Sequence, residues 1–437
     1  MAKTYEIRDP IHGFVTLNEW ERDIINHWVF QRLRRIRQLS LTDMVYPGAM
    51  HTRFEHSIGV MHVASRMFDS IKERREDYLT HELSYNNSGL ERDRVIVRLS
   101  GLLHDIGHAP FSHAAEGLMA LDSNNGKPYK HENYSAAAVA FLMKDVIENH
   151  PLNQNYRITA AEIADFLNGE LSLGRSLLWR SLVSSQLDAD RADYLLRDSH
   201  HIGVNYGRYD LGRLLATMTV ATNHEGSPVL AVEEGGEHAA EALIIARYMM
   251  FTQVYFQHTR RAYDRHSVEA IKILLLQDQA DSSLENKAVF PPPTCAKNVN
   301  DYLKWDDWRV LGKIHNDEAG AHGRILMGRQ HHRSVFETPE IPSPDDLEFA
   351  ESLTNELGDM VSFIDSASSS WYKFDKNEIP LLLRPGIGEE VVALSSRSSV
   401  VNGLESVNKK RIYVSMENKS AAIRVVGALR EKREASK

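Results

Sequence analysis

The sequence predicts a mainly α-helical protein with a short N-terminal β-hairpin and a smaller α+β C-terminal part. Three observations carry that prediction. Apolar residues recur at helical spacing through most of residues 23–276, turn residues punctuate the N-terminal stretch, and the pattern weakens beyond a proline-rich break. Residues 5–17 alternate loosely around Asp9-Pro10 and His12-Gly13, which reads as the hairpin. Residues 23–39 then place Ile24, Ile25, Trp28, Val29, Leu33, Ile36 and Leu39 near helical spacing, with Arg32, Arg34, Arg35 and Arg37 on the other side. Pro47-Gly48 breaks the chain before a helix over 53–73. Further helices are expected at 92–108, 134–149, 160–167, 175–200, 209–218 and 237–276, with one strand at 228–233. Residues 277–300 are polar, contain Pro291-Pro292-Pro293 and read as a loop or linker. Beyond them, 410–415 and 419–433 read as a strand followed by a helix. The expected division is a core over 1–276 with its site within 50–200, a linker at 277–300 and a C-terminal region at 301–437.

Composition narrows the function. The 437 residues carry 51 Lys+Arg against 60 Asp+Glu, a formal charge of −9, which argues against broad nonspecific nucleic-acid binding, so nucleic acid is not predicted as a partner. Cys295 is the only cysteine, which rules out an intramolecular disulfide framework and Cys-rich zinc or iron–sulfur sites, and fits a reducing compartment. No run reaches the roughly 18 apolar residues of a membrane-spanning helix, and residues 1–10 have no signal-peptide pattern. The expectation is a cytoplasmic protein with no membrane partner. The 21 histidines direct attention to metal chemistry through nitrogen and oxygen ligands.

Eight histidines (51, 56, 62, 81, 104, 108, 113 and 131) fall within 81 residues, about twice a uniform share. On a helix over 92–108, Val95, Leu99, Leu102, Leu103 and Ile106 share one arc and face the core, while His104, Asp105 and His108 share the opposite arc. The set reads either as hydrogen-bonded surface histidines or as metal ligands; His-Asp with a second His one turn on favours ligation. A similar choice holds at 190–201. Asp190, Tyr194, Arg197, Asp198 and His201 share a helix face, either a solvated charged stripe or one wall of a site. Arg53 lies three residues before His56 on the same helix face, and Arg191 follows Asp190.

The run His104-Asp105-Ile106-Gly107-His108-Ala109-Pro110-Phe111-Ser112-His113 resembles the motif of HD-domain metal-dependent phosphohydrolases. Asp9-Pro10-Ile11-His12-Gly13, the 30–39 segment, Tyr46-Pro47-Gly48-Ala49, Arg53-Phe54-Glu55-His56-Ser57, the 188–203 segment and Arg260-Arg261-Ala262-Tyr263 extend that likeness in order. They are similar to segments of the deoxynucleoside triphosphate triphosphohydrolases, both bacterial and the vertebrate enzyme with a sterile-alpha-motif domain. The resemblance covers about residues 5–276 and implies an HD-type helical core.

It also implies a site. His56, His104, Asp105 and Asp190 would hold a divalent cation of the Mn, Mg, Fe, Zn, Ni or Co group. The cation would polarise the α-phosphoryl oxygen and acidify a bound water, releasing a deoxynucleoside and intact triphosphate. His131 would be the general acid, oriented by Glu116 or Glu132, although its own sequence context equally suits a loop histidine. His108 and His113 would touch the phosphates, with Arg53 and Arg191 as clamps or, alternatively, solvated surface cations. Tyr194 would pack on the sugar, Asp198 and Gln38 would bond the 3′-hydroxyl, Leu39 would crowd a 2′-hydroxyl, and Tyr263 would border the base. The basic stretch 31–37 is either a solvated face or an oligomer interface that binds a regulatory nucleotide, within a homo-oligomer of two or four chains. Competing functions are an HD phosphohydrolase acting on nucleoside monophosphates or signalling nucleotides, and a nucleotide- or nucleic-acid-binding protein with a vestigial site.

Overall fold

The N-terminal hairpin pairs Thr4–Asp9 with Gly13–Asn18, closing at the Asp9–Gly13 pair. Its turn is built by Asp9, whose Oδ1 accepts the backbone N–H groups of Ile11 at 2.8 Å and His12 at 2.9 Å. Gly13 leaves the turn at φ +76°, a conformation that costs glycine nothing. The computed structural model describes residues 3–435 except 171–173, 175, 279–287, 370, 371, 373, 375–377 and 385–387. Among the described residues no helix is long and apolar enough to cross a membrane.

The chain forms two compact units. The first comprises Met1–Met250, Val289–Val310 and Tyr372–Asn402, and the second comprises Phe251–Ala288, Leu311–Trp371 and Gly403–Lys437. The expected boundary at 276 does not coincide with this division, and within the expected linker residues 296–300 belong to the helix Ala296–Leu303. The linker's 279–287 stretch lies outside the described residues, as does Arg175 at the start of one expected helix.

The first unit is the helical core. Arg53–Arg74 runs beside Asn87–Leu103 and Ala189–Ile202, and His131–Leu142 packs on Ala160–Asn168. A small sheet of order 218–222, 228–233, 380–383, 390–393 completes it. The expected strand at 228–233 is present as Pro228–Glu233. Its antiparallel partner Met218–Thr222 follows a shorter helix, Leu211–Thr217, than expected.

Two expected helices differ in ways that matter. Residues 23–39 are not one amphipathic helix but Glu19–Asn26, Trp28–Gln31 and a tighter turn Arg32–Arg35, interrupted where His27 adopts extended geometry. Arg32 is fully buried and donates to the carbonyls of Leu303 and His108 at 2.9 Å and Ile106 at 3.3 Å. Arg35 pairs with Asp306 at 2.5 Å and Arg37 with Asp43 at 2.7 Å. Arg32, Arg35 and Arg37 therefore tie segments together, which corrects the reading of a solvated basic face for them, while Arg34 is exposed.

The second difference is at 104–108. The helix ends at Leu103 and the His104-Asp105 pair sits in the turn that follows. Gly107 brings this turn against the start of His131–Leu142, where any Cβ would overlap the backbone of His131 and Ser135. Ser135 locks the approach, donating to the His104 carbonyl at 2.6 Å and accepting the Gly107 N–H at 2.9 Å.

The second unit contains an antiparallel sheet with Val407–Val414 between Arg333–Glu337 and Val361–Ser369. Helices Pro344–Leu357 and Lys419–Ala435 cover it, burying Leu353, Leu357, Ile412, Val414, Ala422 and Val426 together. The expected 237–276 helix is Glu237–Met250, a wide turn Phe251–Tyr255 and His258–Asp278. Its last two parts belong to this unit.

Candidate metal centre

Three segments of the first unit converge on one point. His56 comes from the first turn of Arg53–Arg74, whose start is fixed by Glu55 accepting the Thr52 N–H at 2.9 Å. Asp190 comes from the first turn of Ala189–Ile202, capped by Asp188, which accepts the Arg191 N–H at 2.8 Å. His104 and Asp105 come from the turn after Leu103. The donor atoms of His56, His104 and Asp190 all lie within 4.8 Å of one another. His56 Nε2 is 3.0 Å from Asp190 and 3.6 Å from Asp105, and His104 Nε2 is 3.2 Å from Asp105 and 3.8 Å from Asp190. His56, His104 and Asp190 thus face a common centre, and Asp105 adjoins it through His56 and His104.

Two features fit a cation there. His104 Nδ1 lies 2.9 Å from the Gly101 carbonyl, which fixes the N–H on that side. Its Nε2 then faces the carboxylates, and this buried atom has no hydrogen-bond partner among the described residues. The electrostatics agree. Burial works against charge on Asp105, yet Arg53 foremost holds its carboxyl well below the usual range. Burial likewise opposes charge on Asp190, which His104 and His56 hold low. Burial favours neutral His56, but Asp190 and Asp193 outweigh it and push the imidazole up to about 10. The pocket demands positive charge, and the donor set suits a divalent transition metal.

Behind His56 lies a buried network that sequence reasoning quoted but gave no role. His56 Nδ1 is 2.8 Å from Asp193, whose other oxygen is 2.6 Å from His12 Nε2. Arg197 forks onto both Asp193 oxygens at 2.8 Å and reaches Asp9 at 2.9 Å. Gly59 makes room, since a Cβ there would overlap the Asp193 carboxylate. The Asp193–Arg197 spacing of four was the available signal; the hairpin turn that supplies Asp9 and His12 could not be placed by spacing.

A second cluster adjoins the first. His131 Nδ1 is 2.6 Å and His113 Nδ1 3.0 Å from the same Glu116 oxygen. His108 spans the two clusters: its Nε2 is 3.2 Å from Asp105 and its ring stacks on His131 at 3.8 Å. Burial disfavours charge on His131, but the bond to Glu116 raises it above its ordinary value. His108 is driven well below its ordinary value by burial, Arg53 and His131, and is neutral. Glu132 lies 3.5 Å from His131, more exposed and farther than Glu116.

The remaining candidates are placed as follows. Arg53 is buried, pairs with Asp105 and donates to Ser112 at 2.8 Å. Arg191 bonds Asp188 and the Ser185 carbonyl. Gln38 and Leu39 are buried, and Gln38 Oε1 has no hydrogen-bond partner among the described residues. Asp198 is buried and bound to His51 at 2.8 Å. Tyr194 is raised to about 12 by burial, against Arg247 and Arg191. Arg247, unnoticed in the sequence, acts electrostatically on Tyr194, Arg191 and Asp190. Tyr263 belongs to the second unit, where its ring lies 4.5 Å from that of His331.

Residues 53–198 match the HD domain family and residues 209–287 the HD associated region. The chain belongs to the HD-domain phosphohydrolase family. Among its relatives, the uncharacterized protein YwfO of Bacillus subtilis is 30% identical over 427 residues, covering 92% of this chain and 89% of its own. Deoxynucleoside triphosphate triphosphohydrolase SAMHD1 of Gallus gallus is 33% identical over 356 residues, covering 75% of this chain, which spans 55% of that longer protein. A crystal structure of a hypothetical protein from Aquifex aeolicus superposes with a TM-score of 0.75 at 25% identity, covering 97% of this chain and all of that one.

Proposed function

We propose that the protein hydrolyses deoxynucleoside triphosphates to deoxynucleoside and intact triphosphate with a divalent cation held by His56, His104, Asp105 and Asp190. One observation carries the reading furthest: His108 touches Asp105 and stacks on His131, so the imidazole that Glu116 binds stands one ring away from the cation pocket. The likeness to the SAMHD1 enzymes supports the choice of substrate.

A cation bound there supplies Lewis acidity at the α-phosphoryl oxygen and a more acidic water. His131, kept protonated by Glu116, delivers its proton to the leaving 5′-oxygen, while Glu132 stands by as a weaker partner. His113, Arg53 and Arg191 meet the phosphates, and His108 stays neutral as a wall and donor. Gln38, Asp198 and Tyr194 receive the sugar, and Leu39 disfavours a 2′-hydroxyl by contact.

The test is product identification with each dNTP and NTP under Mn or Mg. Deoxynucleoside with triphosphate, lost to background in Asp105→Asn, supports the reading. Monophosphate with pyrophosphate, or turnover indifferent to Asp105→Asn, overturns it.

A further inference from the structure

The Glu116 cluster has a geometry that a general acid alone does not require. Two imidazole Nδ1 atoms, from His113 and His131, converge on one carboxylate oxygen at 3.0 and 2.6 Å. These atoms and a donor of His108 all lie within 4.8 Å of one another. The rings of His113 and His131 stand at 76°, so their lone-pair planes cross near Glu116. The ring of His108 is nearly parallel to that of His131, at 19°, and cannot aim at the same point. Its Nδ1 is buried with no hydrogen-bond partner among the described residues, leaving an acceptor beside the cluster for a bound water.

We propose that His113, Glu116 and His131 form a second cation site, of the zinc class, whose occupation switches the enzyme off. The inference rests on the reading of His131 as the general acid. Two imidazoles and one carboxylate suit Zn, Co or Ni and suit Mg poorly. Tetrahedral bonds near 2.0–2.1 Å need donors about 3.3 Å apart, so the cluster must open by about half an ångström. His113 allows this: its side chain is 63% exposed and sits on the short segment Ser112–Leu118. The same exposure gives an ion a way in. A bound cation takes the Nδ1 lone pairs that otherwise carry the protons shared with Glu116, and ties His131 down. The 5′-oxygen then lacks its proton donor. Metal dependence becomes two-phased, with the first equivalent activating and the second inhibiting.

Cobalt(II) titration of protein without a polyhistidine tag tests this, read by equilibrium dialysis and visible absorption. The wild type binds two equivalents, His113→Ala and Glu116→Gln one, and Asp105→Asn keeps the one that those variants lose. Because His113 is exposed, its truncation leaves the fold intact, which circular dichroism checks. Excess zinc lowers wild-type turnover about a hundredfold, and the ratio of turnover at low and high zinc is flat in His113→Ala. A single equivalent in the wild type overturns the proposal. So does a second equivalent that survives His113→Ala, or one lost in His322→Ala instead. Two equivalents mapped as expected without any dNTP turnover would leave the cation site standing and sink the catalytic reading. Turnover with one equivalent would do the reverse.

Discussion

His56 and His131 in the first unit each hold a carboxylate, whereas His266 in the second unit holds another imidazole. Its Nδ1 lies 2.9 Å from Nδ1 of His322, and its Nε2 accepts the His332 backbone N–H at 3.2 Å. The consequences run in opposite directions. Asp190 and Asp193 overcome burial and push His56 up to about 10, and Glu116 raises His131. Burial and the neighbouring imidazoles of His332, His322 and His331 push His266 down to about 3, and burial with Arg333 takes His331 to about 4. Histidine number alone therefore says little about chemistry. The partner decides whether an imidazole attracts positive charge or excludes it.

Replacing His131 by Ala should cut kcat by about 10²–10⁴-fold while the cation bound at His56, His104, Asp105 and Asp190 stays bound. A phosphodiester with a good leaving group needs no proton, so its hydrolysis should fall far less. Equal losses on both substrates would remove His131 from the acid role and weaken the contrast between the two histidine groups.

Next in size is Asp193→Asn. The amide keeps the shape but loses the charge that orients His56 and neutralises Arg197, so cation affinity should drop about 10–100-fold. Calorimetric titration with Mn reads this directly, and unchanged affinity would reduce the network to a packing role.

The smallest effect belongs to the second unit. A histidine whose folded pKa is depressed leaves the unfolded chain binding more protons below about 6.5, so stability is complete above that pH and is lost as pH falls toward 3–4. The loss should reach about 1–2 kcal/mol by pH 5. Hydrogen exchange of the His258–Asp278 segment, corrected for intrinsic rate, should lose protection over that range, and His266→Gln should shrink the step, leaving the share of His331. Protection independent of pH would show that these imidazoles are solvated after all.

The site and the fold were legible to different extents. His104-Asp105 is contiguous and stands out locally, whereas His56 and Asp190 are candidates through the family resemblance. The turn that holds His104 and Asp105 was not legible, because it depends on Gly107 meeting Ser135 and His131 from another segment. The same limit applies to 31–37. Arg32 and Arg35 on a helical wheel look solvated until Leu303 and Asp306, some 270 residues away, supply their partners, whereas Arg34 is exposed as the wheel suggests. Asp9 and His12 gained their role only through Arg197 and Asp193. Tyr263, read as continuing the core, stands with the second unit because the helical pattern over 237–276 hides the turn at Phe251–Tyr255.

The central claim is attack on the α-phosphorus with departure of the 5′-oxygen at the His56–His104–Asp105–Asp190 centre. Hydrolysis of a dNTP in ¹⁸O-labelled water with Mn, analysed by mass spectrometry, tests it most directly. The account predicts one ¹⁸O in the released triphosphate and none in the deoxynucleoside. Label in the deoxynucleoside, or release of monophosphate and pyrophosphate, would contradict it.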